Sequence, residues 1–250
     1  LKHNTKWLYV MLTGSLLFTG IVSVTTLLAP ETSYAIKSTT KNFKKNKIEA
    51  ESWGDANFST WINELSPDEK STIKSYTGSG YQDINNYLIE NKGALATNTK
   101  LNAKIQTLDQ ALDKAYVPED ITVYRRVTES HFGIDTDVET PLRAPGQNQI
   151  NRDVLRKLES KFYGKTFTQD SYMSTSLSQD PDENSSFKNM PILFRIAVDA
   201  GTHAGFIDAL SGYGQVELLL KRGYTFRYEG FTIEENENGR ESMVVDLAMQ

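Results

Sequence analysis

Apolar residues change their spacing partway along this chain, and that change limits the folds open to it. In the first half they recur three and four positions apart: Phe58, Trp61, Ile62 and Leu65, then Tyr81, Ile84, Tyr87 and Leu88, then Leu101, Ile105, Leu108, Leu112 and Ala115. This is the stripe of an amphipathic helix. Ser66-Pro67-Asp68-Glu69 predicts a capped helix start, with Ser at the cap, Pro in the first turn and Glu three residues on. Gly78-Ser79-Gly80 is expected to break that helix after Tyr76, and Pro118 closes the helical region. Beyond it the pattern turns to β-formers with a period of two. Strands are predicted at Ile121–Arg125, Thr166–Met173, Ile192–Val198, His203–Ile207, Gln215–Leu220, Tyr224–Ile233 and Met243–Ala248, with one more helix over 152–163. Helices first and strands afterwards predict an α+β domain and not a βαβ repeat. No Gly-rich phosphate loop follows a first strand, so a nucleotide site here is not of the Rossmann type.

The N-terminus stands apart. Lys2 and Lys6 precede the uncharged run Trp7–Ala29, and Ser33-Tyr34-Ala35 supplies a small-x-small site. This pattern predicts a secretory signal over 1–35. The run is also long enough for a membrane anchor, the competing reading. Residues 36–50, with Lys44-Lys45-Asn46-Lys47, are expected to form a flexible mature N-terminus, and 51–250 a single domain. The formal charge of -5 argues against a nucleic-acid partner. The chain has no cysteine, which excludes disulfides, cysteine nucleophiles and thiolate metal sites. His131 and His203 are isolated, and no Asp-rich turn has metal-ligand spacing, so no metal is expected.

Three fragments carry chemistry. In Ser211-Gly212-Tyr213-Gly214-Gln215-Val216-Glu217-Leu218 a Gly-rich turn enters a strand, and alternation is expected to put Gln215 and Glu217 on one face. Ser174-Thr175-Ser176 places three hydroxyls after the predicted strand ending at Met173. Arg125 ends the strand Ile121–Arg125, where a guanidinium suits a diphosphate. Taken singly, the plain readings of the three are a solvated strand face, a turn and a surface arginine.

Together, in the order Arg, Ser-Thr-Ser, Gln-x-Glu, they resemble the bacterial mono-ADP-ribosyltransferase exoenzymes that modify Rho GTPases, typified by the botulinum exoenzyme. Tyr76-Thr77, Ile84-Asn85, Asn91-Lys92-Gly93, Pro191-Ile192 and Ala204-Gly205-Phe206-Ile207-Asp208 extend the likeness over roughly residues 50–249. The resemblance implies a helical N-terminal part packed on two antiparallel β-sheets, with NAD as co-substrate in the cleft between them. It implies that Glu217 binds the ribose 2′-hydroxyl, Ser174 positions Glu217, Arg125 meets the cofactor and Gln215 holds a target asparagine. Thr77, Asn85, Thr175, Ser176 and Phe187 are implied as further cofactor contacts, and Tyr213 as a contact with the GTPase. A monomer that is secreted and acts in the host cytoplasm follows from the same likeness. For Glu217 to stabilise positive charge it must be ionised at the working pH.

Three positions depart from the family pattern. Ile89 stands where an arginine is common, Met190 where a basic residue precedes the Pro-Ile strand, and Arg126 where glycine follows the arginine. The competing functions are a secreted NAD glycohydrolase using the same glutamate, and a non-catalytic binding module on the same scaffold.

Overall fold

The computed structural model describes residues 40–135, 139–180 and 186–250. The segment expected as a signal lies outside them. Among the described residues no helix is long and apolar enough to cross a membrane.

Among the described residues four helices come first: α1 (Lys47–Glu64), α2 (Pro67–Ser75), α3 (Tyr81–Glu90) and α4 (Thr99–Asp113). The starts of α1, α2 and α4 each have a local cause. Asn46 caps α1 by accepting from the Glu49 amide, and Asn98 caps α4 by accepting from Leu101. At α2 the reciprocal box forms as the sequence predicts: Glu69 N donates to Ser66 Oγ, and Ser66 N to Glu69 Oε2. The Glu69 carboxylate also reaches Lys114 Nζ at 2.6 Å, which ties the start of α2 to the end of α4. The break expected at Gly78–Gly80 is a π-type turn, Tyr76–Gly80, kinked at Gly78.

Among the described residues the second half contains α5 (Arg152–Phe162), the short α6 (Asp208–Ser211) and eight strands: β1 (Ile121–Val127), β2 (Thr166–Thr168), β3 (Met173–Ser176), β4 (Ile192–Val198), β5 (Ala204–Phe206), β6 (Glu217–Leu220), β7 (Thr225–Glu235) and β8 (Glu241–Met249). Their order is β2-β7-β8-β4-β1-β3-β6-β5. The fold class is the expected one, a helical N-terminal region packed on a strand core. Two details refine it. The β4–β8 pair is parallel. The two expected sheets are halves of one strand order, joined where β1 meets β3 at a single residue pair, Tyr124 with Ser176.

The strands differ most from the sequence reading at two places. The strand expected over Thr166–Met173 is two strands, and Ser174-Thr175-Ser176 is not a turn after a strand but the body of β3, in register with Leu219, Leu218 and Glu217 of β6. Pairing with β6 outweighs the turn preference of Ser and Thr. The strand expected from Gln215 begins at Glu217, because Val216 has φ +53°.

Helix α1 buries Trp53, Phe58 and Trp61. Trp61 covers β5 so closely that a Cβ on Gly205 would lie 2.3 Å from its ring, so only glycine fits there. The segment expected as a flexible tail is, from residue 40 on, a strap on the sheet. Lys41 bridges to Ile121, and Phe43 is 3% exposed with its ring against Trp53. Burying the Phe43 ring offsets the entropy that would otherwise leave this basic segment mobile.

Candidate active site

The seam between the two halves of the sheet opens into a cleft of about 370 Å³, within the roughly 300–1,000 Å³ range of small-molecule sites. Its walls come from the Tyr76–Gly80 turn, α3, β1, β3, the loop after β3 and the turn before β6. Every residue that the family likeness implies for the site lines it: Thr77, Asn85, Arg125, Ser174, Thr175, Ser176, Phe187, Tyr213, Gln215 and Glu217.

The three hydroxyls of β3 have separate tasks, because the strand alternates. Thr175 faces the core and donates to Leu218 O at 2.7 Å, clamping β3 to β6. Ser176 Oγ donates to Gln215 O at 2.9 Å and accepts from Ser178 N. Ser174 hydrogen-bonds the Glu217 carboxylate. Arg125 reaches across the seam, its Nη1 donating to Ser174 O at 2.6 Å. One strand therefore places both the hydroxyl that holds Glu217 and the carbonyl that holds Arg125.

Glu217 is 8% exposed. Burial pushes its carboxyl above the ordinary value; the Ser174 hydrogen bond opposes this, the charge of Asp208 adds to it, and Arg125 opposes it. Burial pulls the Arg125 guanidinium down, against the electrostatic pull of Tyr76, Glu217 and Tyr81. A guanidinium starts far enough above neutrality to stay charged.

Gln215 and Glu217 are not alternate residues of one strand. The left-handed Val216 between them puts Gln215 in the preceding turn, yet both side chains line the cleft. Phe187 and Tyr213 are 44% and 56% exposed at its margin.

The departures from the family pattern also find places. Arg126 lines the cleft and donates to Ser242 Oγ at 3.3 Å and to the carbonyl of Met190 at 3.5 Å. Ile89 is 55% exposed on α3 and is not part of the lining.

Sequence reasoning missed three members of the site. Tyr76 is 1% exposed, and its hydroxyl accepts from Asn85 Nδ2 at 3.0 Å. Burial pushes that phenol up to about 12, so it is neutral at ordinary pH. Tyr81 is half-exposed on the cleft wall beside it. Tyr81 belonged to a helical stripe, and Tyr76 entered only as a helix end and as part of the family likeness, so neither was read as a site residue. Asp208, left without a role, accepts from Gln215 N at 2.8 Å. No spacing rule links positions 208 and 215.

Residues 50–250 match the model of the ADP-ribosyltransferase exoenzyme family. The chain belongs to this family. It is therefore an NAD-dependent ADP-ribosyltransferase of the bacterial toxin type. It is 29% identical over 229 residues to mono-ADP-ribosyltransferase C3 of Clostridium botulinum D phage, covering 88% of this chain and 86% of that one. Among solved structures it is similar to Plx2a, an ADP-ribosyltransferase toxin from Paenibacillus larvae, with a TM-score of 0.73 and 29% identity over 84% of this chain and all of that one. It is also similar to BECa, from a binary enterotoxin of C. perfringens, solved with NADH, with a TM-score of 0.71 and 28% identity over 84% of this chain and half of that one. The exoenzyme cleft of this chain suits a dinucleotide. Arg125 and Arg126 offer cations for a diphosphate, Asn85 and Ser174 are polar, and Phe187 and Tyr81 offer exposed rings. Among the described residues no three His, Cys, Asp or Glu side chains gather as a metal site.

Proposed function

We propose that this enzyme splits NAD and transfers its ADP-ribose to an asparagine side chain of a Rho-type small GTPase of a host cell. It is secreted as a monomer and acts in the host cytoplasm. The observation that carries the reading is the gathering of Glu217, Ser174, Arg125 and Gln215 in one cleft with Tyr213 exposed at its mouth. The relatives named mono-ADP-ribosyltransferase C3 support the kind of reaction.

Nicotinamide leaves as a neutral molecule, taking the electron pair of its bond to ribose. Positive charge then develops on the ribose ring. The carboxylate of Glu217 stabilises that charge without bonding to it, and works best where water is scarce, as it is at 8% exposure. Ser174 orients the carboxylate and favours its ionised form. Arg125 meets the diphosphate. The asparagine nitrogen then forms the new bond to ribose and gives up one proton. An amide nitrogen is a poor nucleophile, so Gln215 serves by position: its own amide both donates and accepts, which a carboxylate does not do.

The test pairs two measurements on the purified mature protein. Incubation with NAD alone reads nicotinamide release; incubation with labelled NAD and a mixed cell lysate reads transfer. We expect one labelled band at the size of a small GTPase, with the label mapped to asparagine by mass spectrometry. Release without labelling would make the protein a glycohydrolase, and the absence of both would make it a binding module.

A further inference from the structure

Asp208 opens α6, and its carboxylate reaches forward to the turn that carries Gln215 and Glu217. One oxygen, Oδ1, accepts from Gln215 N at 2.8 Å and from Glu217 N at 3.5 Å. Amides two residues apart in an extended strand do not converge on one oxygen. They do so here because Val216, between them, is left-handed at φ +53°. A β-branched residue avoids that region, so something must hold it there.

The carbonyls of the same three residues are held as well. Gln215 O accepts from Ser176 Oγ at 2.9 Å, Val216 O from Leu177 N at 3.1 Å and Glu217 O from Ile207 N at 3.0 Å. The base of the turn is thus fixed from both sides. At its tip the ring of Tyr213 lies 56% exposed, between Gly212 at φ +71° and Gly214 at φ +59°.

We propose that Asp208 is a positioning residue of this active site, whose carboxylate holds the backbone of Gln215 and Glu217 in the kinked form that lines the cleft with both side chains and sets a second negative charge beside Glu217. Its consequence for catalysis rests on the NAD-splitting reading above; its consequence for the turn does not.

The groups that act on Glu217 are Ser174 on β3, Asp208 on α6 and Arg125 on β1, and the phenol of Tyr76 faces it from the turn after α2. Of the two charges, Arg125 favours the ionised carboxylate and Asp208 opposes it. Asp208 therefore raises the proton affinity of Glu217, and its charge also adds to the field that favours a cationic ribose.

Two variants separate the hydrogen bonds from the charge. Asp208→Asn keeps an acceptor oxygen and removes the charge; Asp208→Ala removes both. A thermal melt first establishes that each is folded. In Asp208→Ala, the amide protons of Gln215 and Glu217 should shift in the NMR spectrum and lose protection from exchange; in Asp208→Asn they should stay protected. In Asp208→Asn the carbon-detected titration midpoint of the Glu217 carboxyl should move to lower pH. The acid limb of the nicotinamide-release profile should follow it, with kcat lower by roughly tenfold and KM for NAD within about twofold. Unchanged amides in Asp208→Ala overturn the positioning role, and an unmoved Glu217 midpoint in Asp208→Asn overturns the charge. Both spectra are read without NAD, so they decide the matter even where the protein splits no NAD. If Asp208→Ala does not fold, Asp208→Asn decides alone: protected amides with a lowered midpoint support the proposal, and any other result removes it.

Discussion

Arg125 donates to the backbone carbonyl of Ser174 at 2.6 Å across the seam where β1 and β3 share only one residue pair. The bond does two things at once. It closes a weak joint in the sheet, and it fixes the cation beside the strand that orients Glu217. Arg125→Lys keeps the charge but loses the planar fork that spans this gap. We expect a loss of roughly 1–3 kcal/mol in stability, the cost of a broken hydrogen bond to a charged donor. KM for NAD should rise at the same time. Denaturant unfolding and steady-state kinetics check the two; wild-type values in both would show that the seam does not depend on the guanidinium.

Glu217 must be ionised to oppose positive charge on ribose. Burial and Asp208 hold its proton more tightly than in a free side chain, so activity should be lost on acidification at a pH above the ordinary glutamate value. The hydrogen bond from Ser174 works the other way. Ser174→Ala should therefore move the acid limb further up in pH and reduce the plateau only modestly. Glu217→Gln should remove release and transfer together, by about 10²–10³-fold, or ~3–4 kcal/mol of transition-state stabilisation. A Ser174→Ala limb that moves down in pH would contradict the assigned hydrogen bond.

The sequence disclosed most where one element acts alone. The helical stripes, the capping box at Ser66 and Glu69, the strand Ile192–Val198 and the strand expected over Ile121–Arg125, which runs on to Val127, all follow from local spacing and chemistry. It disclosed less where distant segments decide. Ser174-Thr175-Ser176 becomes a strand only because β6 lies beside it, and Phe43 is held only because Trp53 offers a ring. The site residues drawn from the family likeness all line one cleft. Tyr76, Tyr81 and Asp208 were hidden because an aromatic at a helix end or in a helical stripe, or an acid at a turn, looks the same whether or not it faces a cleft.

His131 offers a stability test independent of the reaction. Its ring lies among Phe132, Phe167 and Phe194, and its Nε2 is 2.9 Å from the Tyr228 hydroxyl. Burial, and then the charge of Arg125, lower its pKa from 6.5 to about 4. The fold therefore favours the neutral ring. Above pH 6.5 this stabilisation is complete. Between pH 6.5 and 4 the unfolded chain takes up a proton that the folded one refuses, and stability falls by ~3 kcal/mol in total from this group, with no further loss below 4. Urea unfolding at pH 7.5 and pH 4.5 should show a steeper loss in the wild type than in His131→Gln. Parallel losses would mean that other groups govern the acid response.

The strap before α1 should matter to the cleft as well as to the core. Lys44 O accepts from Gln179 N at 2.7 Å and from Ser178 Oγ at 3.2 Å, and both donors belong to residues lining the cleft. Asn42 accepts from the Tyr124 hydroxyl at 2.7 Å, on the same wall. Phe43→Ala should cost roughly 3–5 kcal/mol through the cavity it leaves. Asn42→Ala, a milder change, should raise KM for NAD while leaving kcat close to the wild type, because the strap supports the binding wall and not the carboxylate. A fall in kcat at unchanged KM would place its effect on the chemical step instead.

Gln215 provides the test of the division of labour in the cleft. It sits one left-handed residue before Glu217, half-buried, with its backbone held at both ends and its side chain among the lining groups. If its amide holds the acceptor, it contributes to transfer and not to breaking NAD. Gln215→Ala should then sharply reduce labelling of a purified Rho-type GTPase and leave slow nicotinamide release largely intact. Gln215→Glu should weaken asparagine modification too, since a carboxylate has no proton to donate to the acceptor amide oxygen, and should favour a guanidinium acceptor instead. Tyr213→Ala should resemble Gln215→Ala in losing only the protein reaction, because its exposed ring is at the margin of the cleft. The measurement is a paired assay on each variant, with nicotinamide release in the absence of acceptor set beside label transfer to the GTPase. Equal losses in both assays for Gln215→Ala would show that this side chain takes part in the NAD chemistry itself, and the separation between cleaving and receiving groups would have to be abandoned.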